Sequence, residues 1–333
     1  MRWLKRIGLG TLALLVAAVL GGTGYEMWAR HRVAAEFAPP GKLVDIGGRR
    51  IHLDCRGAGT PVVVFESGLD MYGSLSWSAV QDQVAQTTRA CSYDRAGILW
   101  SDRAPGARNG AAIASDLHAA LQAAGERAPY VMVGHSLGGP YVMTFTRQFG
   151  DDVAGIVFVD ASHPDQQRRL KAAIGQQAEP SMAGPKLAAA LAWMGVPRLF
   201  AGSVGHARAP ARANAAMSAY LPRSLRPMLD EQAAIDATFS DAGALRSLGG
   251  RPLVVLTAAA PLQASDLATL KLTSEQGQRL QAVWFELHDE ETSWSSHGRQ
   301  VRLGDSHHYI QFERPDAVID AVREVVNDIR GQS

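Results

Sequence analysis

The chain has 333 residues, 33 basic and 32 acidic side chains, and a formal net charge of +1. It carries no basic stripe or acidic tail, which argues against nucleic acid as a partner. Apolar residues make up 47%, so a sizeable core is available, and the length suits one α/β domain with an insertion.

The N-terminus reads as a separate object. Met1 to Arg6 is short and basic, and no residue from Ile7 to Tyr25 is charged. That length spans a bilayer as a helix. Arg2, Lys5 and Arg6 favour a cytoplasmic N-terminus and an exported remainder, although Arg30 and Arg32 weaken the contrast. The expectation is an uncleaved membrane anchor and tether over residues 1–37, the tether running from Met27 towards Pro40. The alternative is a signal peptide cleaved near Gly22 or Gly24, giving a secreted protein. Both place the main domain outside the cytoplasm.

Lys42 to Ile46 and Arg50 to Cys55 flank Gly47-Gly48 and read as a hairpin. Val62 to Phe65 is a continuous apolar run of the buried, parallel-sheet kind. It ends in Glu66-Ser67-Gly68-Leu69-Asp70, and a helix is expected from Trp77 to Gln86. Arg89 to Tyr93 is a short strand, and Ala111 to Ala124 is a helix with Ile113, Leu117 and Leu121 on one side.

Tyr130-Val131-Met132-Val133 then runs into Gly134-His135-Ser136-Leu137-Gly138, and a helical stretch follows to Phe149. Strand, tight turn and helix are the setting of a nucleophile elbow. Its two glycines lack the Cβ atoms that would clash where the chain doubles back. A bare Gly-x-Ser-x-Gly also occurs in ordinary turns, so its partners must come from elsewhere in the chain.

Ile156 to Val159 is the next buried strand, ending at Asp160. From Ala161 to about Gly250, helix formers alternate with prolines, among them Pro180, Pro197 and Pro222. About ninety residues without a strand is too long for a loop and reads as a helical insertion. Pro252 to Thr257 resumes the strand pattern, Ser265 to His288 is helical, and Arg299 to Leu303 is the last strand. Asp305-Ser306-His307-His308 follows, then an amphipathic helix from Asp316 to Ile329. Alternating buried strands and helices mean a mostly parallel sheet covered on both faces. Sites on such sheets lie at the carboxyl ends of strands, which singles out Gly68-Leu69, Ser136, Asp160 and His308.

These motifs together resemble the α/β-hydrolases of the Gly-x-Ser-x-Gly serine type. The resemblance covers residues 41–160 and 251–330. It implies an α/β-hydrolase fold with core parts at 38–160 and 251–333 and a helical cap at 161–250. It also implies Ser136 as nucleophile and His308 as the base that takes its proton. Many members place the acid after the strand that here ends at Thr257, where the first carboxylate is Asp266. The related dehalogenase branch places it one strand earlier, and Val159-Asp160 matches that placement. Asp160 is therefore the expected acid, with Asp266 as the alternative. The N–H groups of Leu137 and Leu69 are the expected oxyanion hole. The family sheet sets the Cys55 strand beside the Cys91 strand, which implies a Cys55–Cys91 disulfide.

Asp94-Arg95 reads as a structural loop pair, and His307 as a neighbour of the base. Asp305, His297, His307 and His308 match no zinc spacing, so neither a metal nor another cofactor is expected. The resulting expectation is an extracytoplasmic, membrane-anchored serine hydrolase acting on a small-molecule acyl substrate, an ester foremost. Haloalkane and epoxide hydrolysis on this fold need a carboxylate where Ser136 stands. A non-catalytic binding module and a cofactor-free perhydrolase are the alternatives.

Overall fold

A computed structural model describes residues 2–175 and 181–331. Met1 and Pro180, both used above, lie outside the described residues.

The described strands form one sheet: β1 (Lys42–Asp45), β2 (Arg50–Arg56), β3 (Val62–Glu66), β4 (Ala90–Tyr93), β5 (Tyr130–His135), β6 (Val153–Val159), β7 (Leu253–Ala258) and β8 (Gly298–Leu303). Their spatial order is β1-β2-β4-β3-β5-β6-β7-β8. The β1–β2 and β2–β4 pairs are antiparallel. The remaining pairs are parallel.

The helices before β6 are α1 (Arg2–Glu36), α2 (Gln81–Val84), α3 (Gly110–Ala124) and α4 (Gly138–Gln148). Between β6 and β7 lie α5 (Gln166–Ile174), α6 (Ala183–Ala190), α7 (Ala211–Gln232) and α8 (Ile235–Gly243), with 3-10 turns at Ala192–Met194 and Val196–Ser203. After β7 come α9 (Ala264–Leu270), α10 (Ser274–Ser293), α11 (Ile310–Glu313) and α12 (Pro315–Ile329).

Because side chains alternate along a strand, each central strand feeds two cores. Val62, Val64, Met132, Ile156, Phe158 and Val255 point to one side, where Leu117 and Leu121 of α3 and Val142 and Phe145 of α4 cover them. Val63, Phe65, Val131, Val133, Val157 and Val254 point to the other, under Val318, Val322, Val325 and Val326 of α12. Burial on both faces explains why these strands read as unbroken apolar runs. At the antiparallel edge Cys55 stands directly opposite Cys91 in register, and the two are joined by a disulfide.

Three elements differ from expectation. The stretch from Met27 is not a loose tether: α1 continues to Glu36, and Glu26, Ala29 and Phe37 are buried. The cause is tertiary. Glu26 receives Arg30 from one turn on and Arg198 from the segment between β6 and β7, at 2.8 and 2.6 Å. The expected helix from Trp77 to Gln86 is a 3-10 turn at Gly73–Trp77 followed by the single turn of α2. Asp94 draws the turn inward by accepting from Ser74 N–H at 2.8 Å. The expected helix from Ser265 to His288 is two helices. Lys271 adopts φ +56°, and Thr273 and Gln276 form a reciprocal capping box that starts α10.

Among the described residues, α1 is the one helix long and apolar enough to cross a membrane, with a window of mean hydropathy 1.9 that is 0% buried.

Candidate functional site

The β5–α4 turn is built by close approach. A Cβ on Gly134 would lie 2.7 Å from the Gly138 carbonyl oxygen, and one on Gly138 would lie 2.5 Å from that of Glu66. Both contacts are shorter than real Cβ atoms tolerate, so the sequence needs glycine at both places. Ser136 between them is held at φ +53°, a conformation an L-residue keeps only when its surroundings impose it. Here they do: Ser136 N–H donates to Val159 O at 3.3 Å, and its carbonyl accepts from Gly139 at 2.9 Å and Ser162 at 2.8 Å.

Asp160 ends β6 at φ +45°, and its side chain is buried. Its Oδ2 accepts from His308 Nδ1 at 2.7 Å. Its Oδ1 accepts from Ala258 N–H at 2.9 Å and from the Trp284 indole at 3.0 Å. Burial pushes this carboxyl up, but the His308 hydrogen bond and charge, with His288 and Trp284, outweigh it and hold the group below its ordinary value. Asp266, the alternative acid, is spent elsewhere: its Oδ2 accepts from Gln263 N–H at 2.7 Å and caps α9.

With Nδ1 directed at Asp160, His308 turns its Nε2 away from the carboxylate. The ring is 43% exposed, open enough for a reactant to reach it. Its backbone carbonyl accepts from His135 Nε2 at 2.9 Å, and the two rings stand 4.7 Å apart. The residue before the serine thus pins the loop that carries His308. Burial, with the neighbouring His308, lowers the His135 pKa to about 3, so this ring is neutral. Among the described residues no hydrogen bond joins Ser136 Oγ to His308, a contact that often tightens only when a reactant is bound.

Gly68 brings the loop after β3 against the elbow. A Cβ there would lie 2.9 Å from Ser136 Cβ. Leu69, next in sequence, packs in one apolar cluster with Leu137, Ile113, Tyr141 and Phe239. Neither the Leu69 nor the Leu137 N–H finds an acceptor among the described residues.

Arg95 holds this loop from beneath. Its guanidinium donates to the carbonyls of Ser67 at 2.8 Å and Gly68 at 2.6 Å. It pairs with Glu66 at 2.7 Å and with Glu231 of α7 at 2.9 Å, all three groups being buried. Tyr141 stacks on it at 5.0 Å, and Tyr93 donates to Glu66. The loop-pair reading of Asp94-Arg95 missed this reach, as it missed Trp284 and His135. His135 had a signal in its place inside the elbow pentad; Trp284 and Glu231 had none.

His307 lies outside the arrangement, with its N–H on Glu313 Oε2 at 2.7 Å. Asp305 pairs with Arg314 at 2.8 Å. A cluster of His163, Asp165 and Glu290 has metal-like spacing, but Arg246 already occupies it, 3.0 Å from Asp165 and 3.2 Å from His163.

Residues 60–183 match the family model described as alpha/beta hydrolase fold. A thermophilic esterase from Thermogutta terrifontis superposes with TM-score 0.62 at 17% identity, covering 86% of this chain and 98% of that one. A putative epoxide hydrolase from Pseudomonas aeruginosa gives 0.60 at 18%, covering 87% and 96%. In sequence, 128 residues are 35% identical to a probable transporter of Hormonema carpetanum, over 36% of this chain and 18% of that protein. The chain spans less than half the length of the curated relatives it matches.

Proposed function

This chain is an α/β-hydrolase-fold protein, and from that premise we propose that it is a serine hydrolase that cleaves a carboxylic ester through an acyl-enzyme. The observation that carries the reading is the 2.7 Å hydrogen bond from His308 Nδ1 to the buried Asp160, on a sheet that presents Ser136 in a strained elbow. Ser136 Oγ attacks the acyl carbon while His308 Nε2 takes its proton. The Leu69 and Leu137 N–H groups receive the oxyanion, each worth about 3 kcal/mol of transition-state stabilisation. The proton passes from His308 to the departing alcohol, and water repeats the sequence on the acyl-enzyme. Asp160 keeps the imidazole in the Nδ1–H tautomer and stabilises its charged form. The Leu69–Leu137–Phe239 cluster beside the serine favours an apolar acyl group. The helical segment 161–250 acts as the cap, and α1 as a membrane anchor that holds the domain outside the cytoplasm.

The test uses the full chain in detergent, labelled with a fluorophosphonate beside Ser136→Ala, His308→Ala and Asp160→Asn. Labelling of wild type that disappears in the first two supports the reading, and a p-nitrophenyl ester series of rising chain length then finds the acyl preference. No labelling of folded wild type would sink it.

A further inference from the structure

We propose that the segment Trp193–Phe200, between α6 and α7, is a second membrane contact that sits in the lipid interface beside α1. The proposal rests on α1 lying in a bilayer, and it concerns a surface no step of the hydrolysis uses.

The first observation is an unusual exposure of large apolar side chains. Leu187, Trp193, Leu199 and Phe200 are 62%, 49%, 79% and 55% exposed. Apart from the α1 side chains, few large apolar groups stand so far out among the described residues. An exposed apolar cluster of this kind marks a contact surface.

The second is its place. The uncharged stretch Ile7 to Tyr25 is about 28 Å long at 1.5 Å per residue, close to the thickness of a hydrocarbon core. The 3-10 turn Ala192–Met194 packs on α1 at Gly22, where a Cβ would lie 2.9 Å from the Met194 carbonyl oxygen. Gly22 is three residues inside Tyr25, so the turn meets α1 at a depth of about 4–5 Å within the apolar span. Arg198 then locks the next turn to Glu26 at 2.6 Å. Leu199 and Phe200 follow that lock and point away from the protein. Tyr25 and Trp28 of α1 are also exposed, at 52% and 55%, and aromatic rings collect at this level of a bilayer.

The third is charge. The crevice between α1 and α7, about 710 Å³, is lined by Trp193 and by five arginines against Glu26 and Asp102, with Asp230 pairing Arg226 at 2.9 Å from outside the lining, so the positive charges still outnumber the negative. Positive charge just outside an apolar patch suits the anionic headgroups of a lipid surface. The apolar depth, the aromatic rings and the arginines occur in the order a bilayer presents hydrocarbon, interface and headgroup.

Spin labelling of the full chain in vesicles of phosphatidylcholine and phosphatidylglycerol tests this. Both native cysteines are in the disulfide, so an added cysteine is the one free thiol. Labels go on Leu199→Cys and Phe200→Cys, with Leu15→Cys in α1 as the lipid reference and Gln122→Cys, on the solvent-facing side of α3, as the water reference. Collision rates with oxygen and with a water-soluble nickel chelate are compared. The proposal expects the labels at 199 and 200 to move from the aqueous ratio of position 122 clearly towards the oxygen-rich ratio of position 15, as an interfacial depth requires. Lipid contact at 15 with aqueous ratios at 199 and 200 overturns it alone; aqueous ratios at all three overturn it together with the anchor. Fluorophosphonate labelling of the same samples reads the serine independently, so failure of one reading is not mistaken for failure of the other.

Discussion

Two buried carboxylates sit at the carboxyl ends of strands on either side of β5, Glu66 closing β3 and Asp160 following β6, and their surroundings treat them in opposite ways. Both side chains are almost fully out of water, at 2% and 3% exposure. Burial dominates at Glu66 and raises it to about 7 against the pull of Arg95 and Tyr93, with Glu231 adding repulsion. At Asp160 the hydrogen-bond donors prevail and the group stays below its ordinary value. The difference lies in sharing. Arg95 divides one positive charge between two carboxylates and two carbonyls, whereas Asp160 receives His308, Trp284 and Ala258 alone. The first arrangement is closed on itself and holds a loop in place. The second leaves the His308 side chain partly open to solvent, as the proposed hydrolysis requires.

The strongest way to break this contrast is Ser136→Ala. By analogy with other serine nucleophiles, it should lower ester turnover by a factor on the order of 10⁴–10⁶ with an unchanged melting curve. A variant that kept more than a tenth of the rate would place the chemistry elsewhere. Asp160→Asn should cost roughly 10⁴-fold in turnover through the wrong tautomer of His308, while Asp266→Asn should change it less than about twofold. Equal losses in the two variants would remove the distinction between them.

Arg95→Met probes the closed arrangement. It leaves two buried carboxylates without their cation and should cost about 3–5 kcal/mol of stability in urea unfolding. Adding Glu66→Gln and Glu231→Gln to it should return much of that loss; a triple variant no more stable than the single one would show that packing, not charge, is at stake.

Acid and base limbs of the stability curve sharpen the comparison with the smallest effect. Asp160 is lowered when folded, so its contribution is present above its ordinary value of 3.8 and is lost as pH falls through the folded value. Glu66 is raised, so stability is highest below 4.5 and declines as pH climbs towards about 7. Asp160→Asn should flatten the acid limb and Glu66→Gln the limb between those two values, followed by thermal unfolding. An unaltered profile in either variant removes that group from the account.

How far the sequence discloses these features depends on how local they are. The elbow is legible because its glycines, serine, preceding strand and following helix are contiguous. Asp160 is legible as the last residue of a buried strand. The ion cluster is not: Arg95 and Glu231 are 136 residues apart, and neither stretch signals the other. Trp284 reaches Asp160 over 124 residues, from a helix face that reads as ordinary. The start of α10 was readable in Thr273 and Gln276, since that spacing forms a capping box, yet the expectation of one long helix ran across it. The continuation of α1 was hidden because Met27 to Glu36 is too mixed in character to separate a helix from a linker without Arg198 in view.

That continuation decides where the chain can be trimmed. A boundary after the apolar stretch looks natural at residue 38, but the folded unit starts earlier. Phe37 is buried beside Trp100 and Tyr220, and its carbonyl accepts from both, at 2.8 and 3.1 Å. A protein begun at residue 38 forfeits that acceptor, strands two donors and leaves Arg198 without Glu26. One begun at residue 23 keeps all of them and sheds most of the oily stretch. For expression work, the useful cut therefore lies inside the helix and not after it. The shorter of the two products should be the one that melts lower and precipitates sooner.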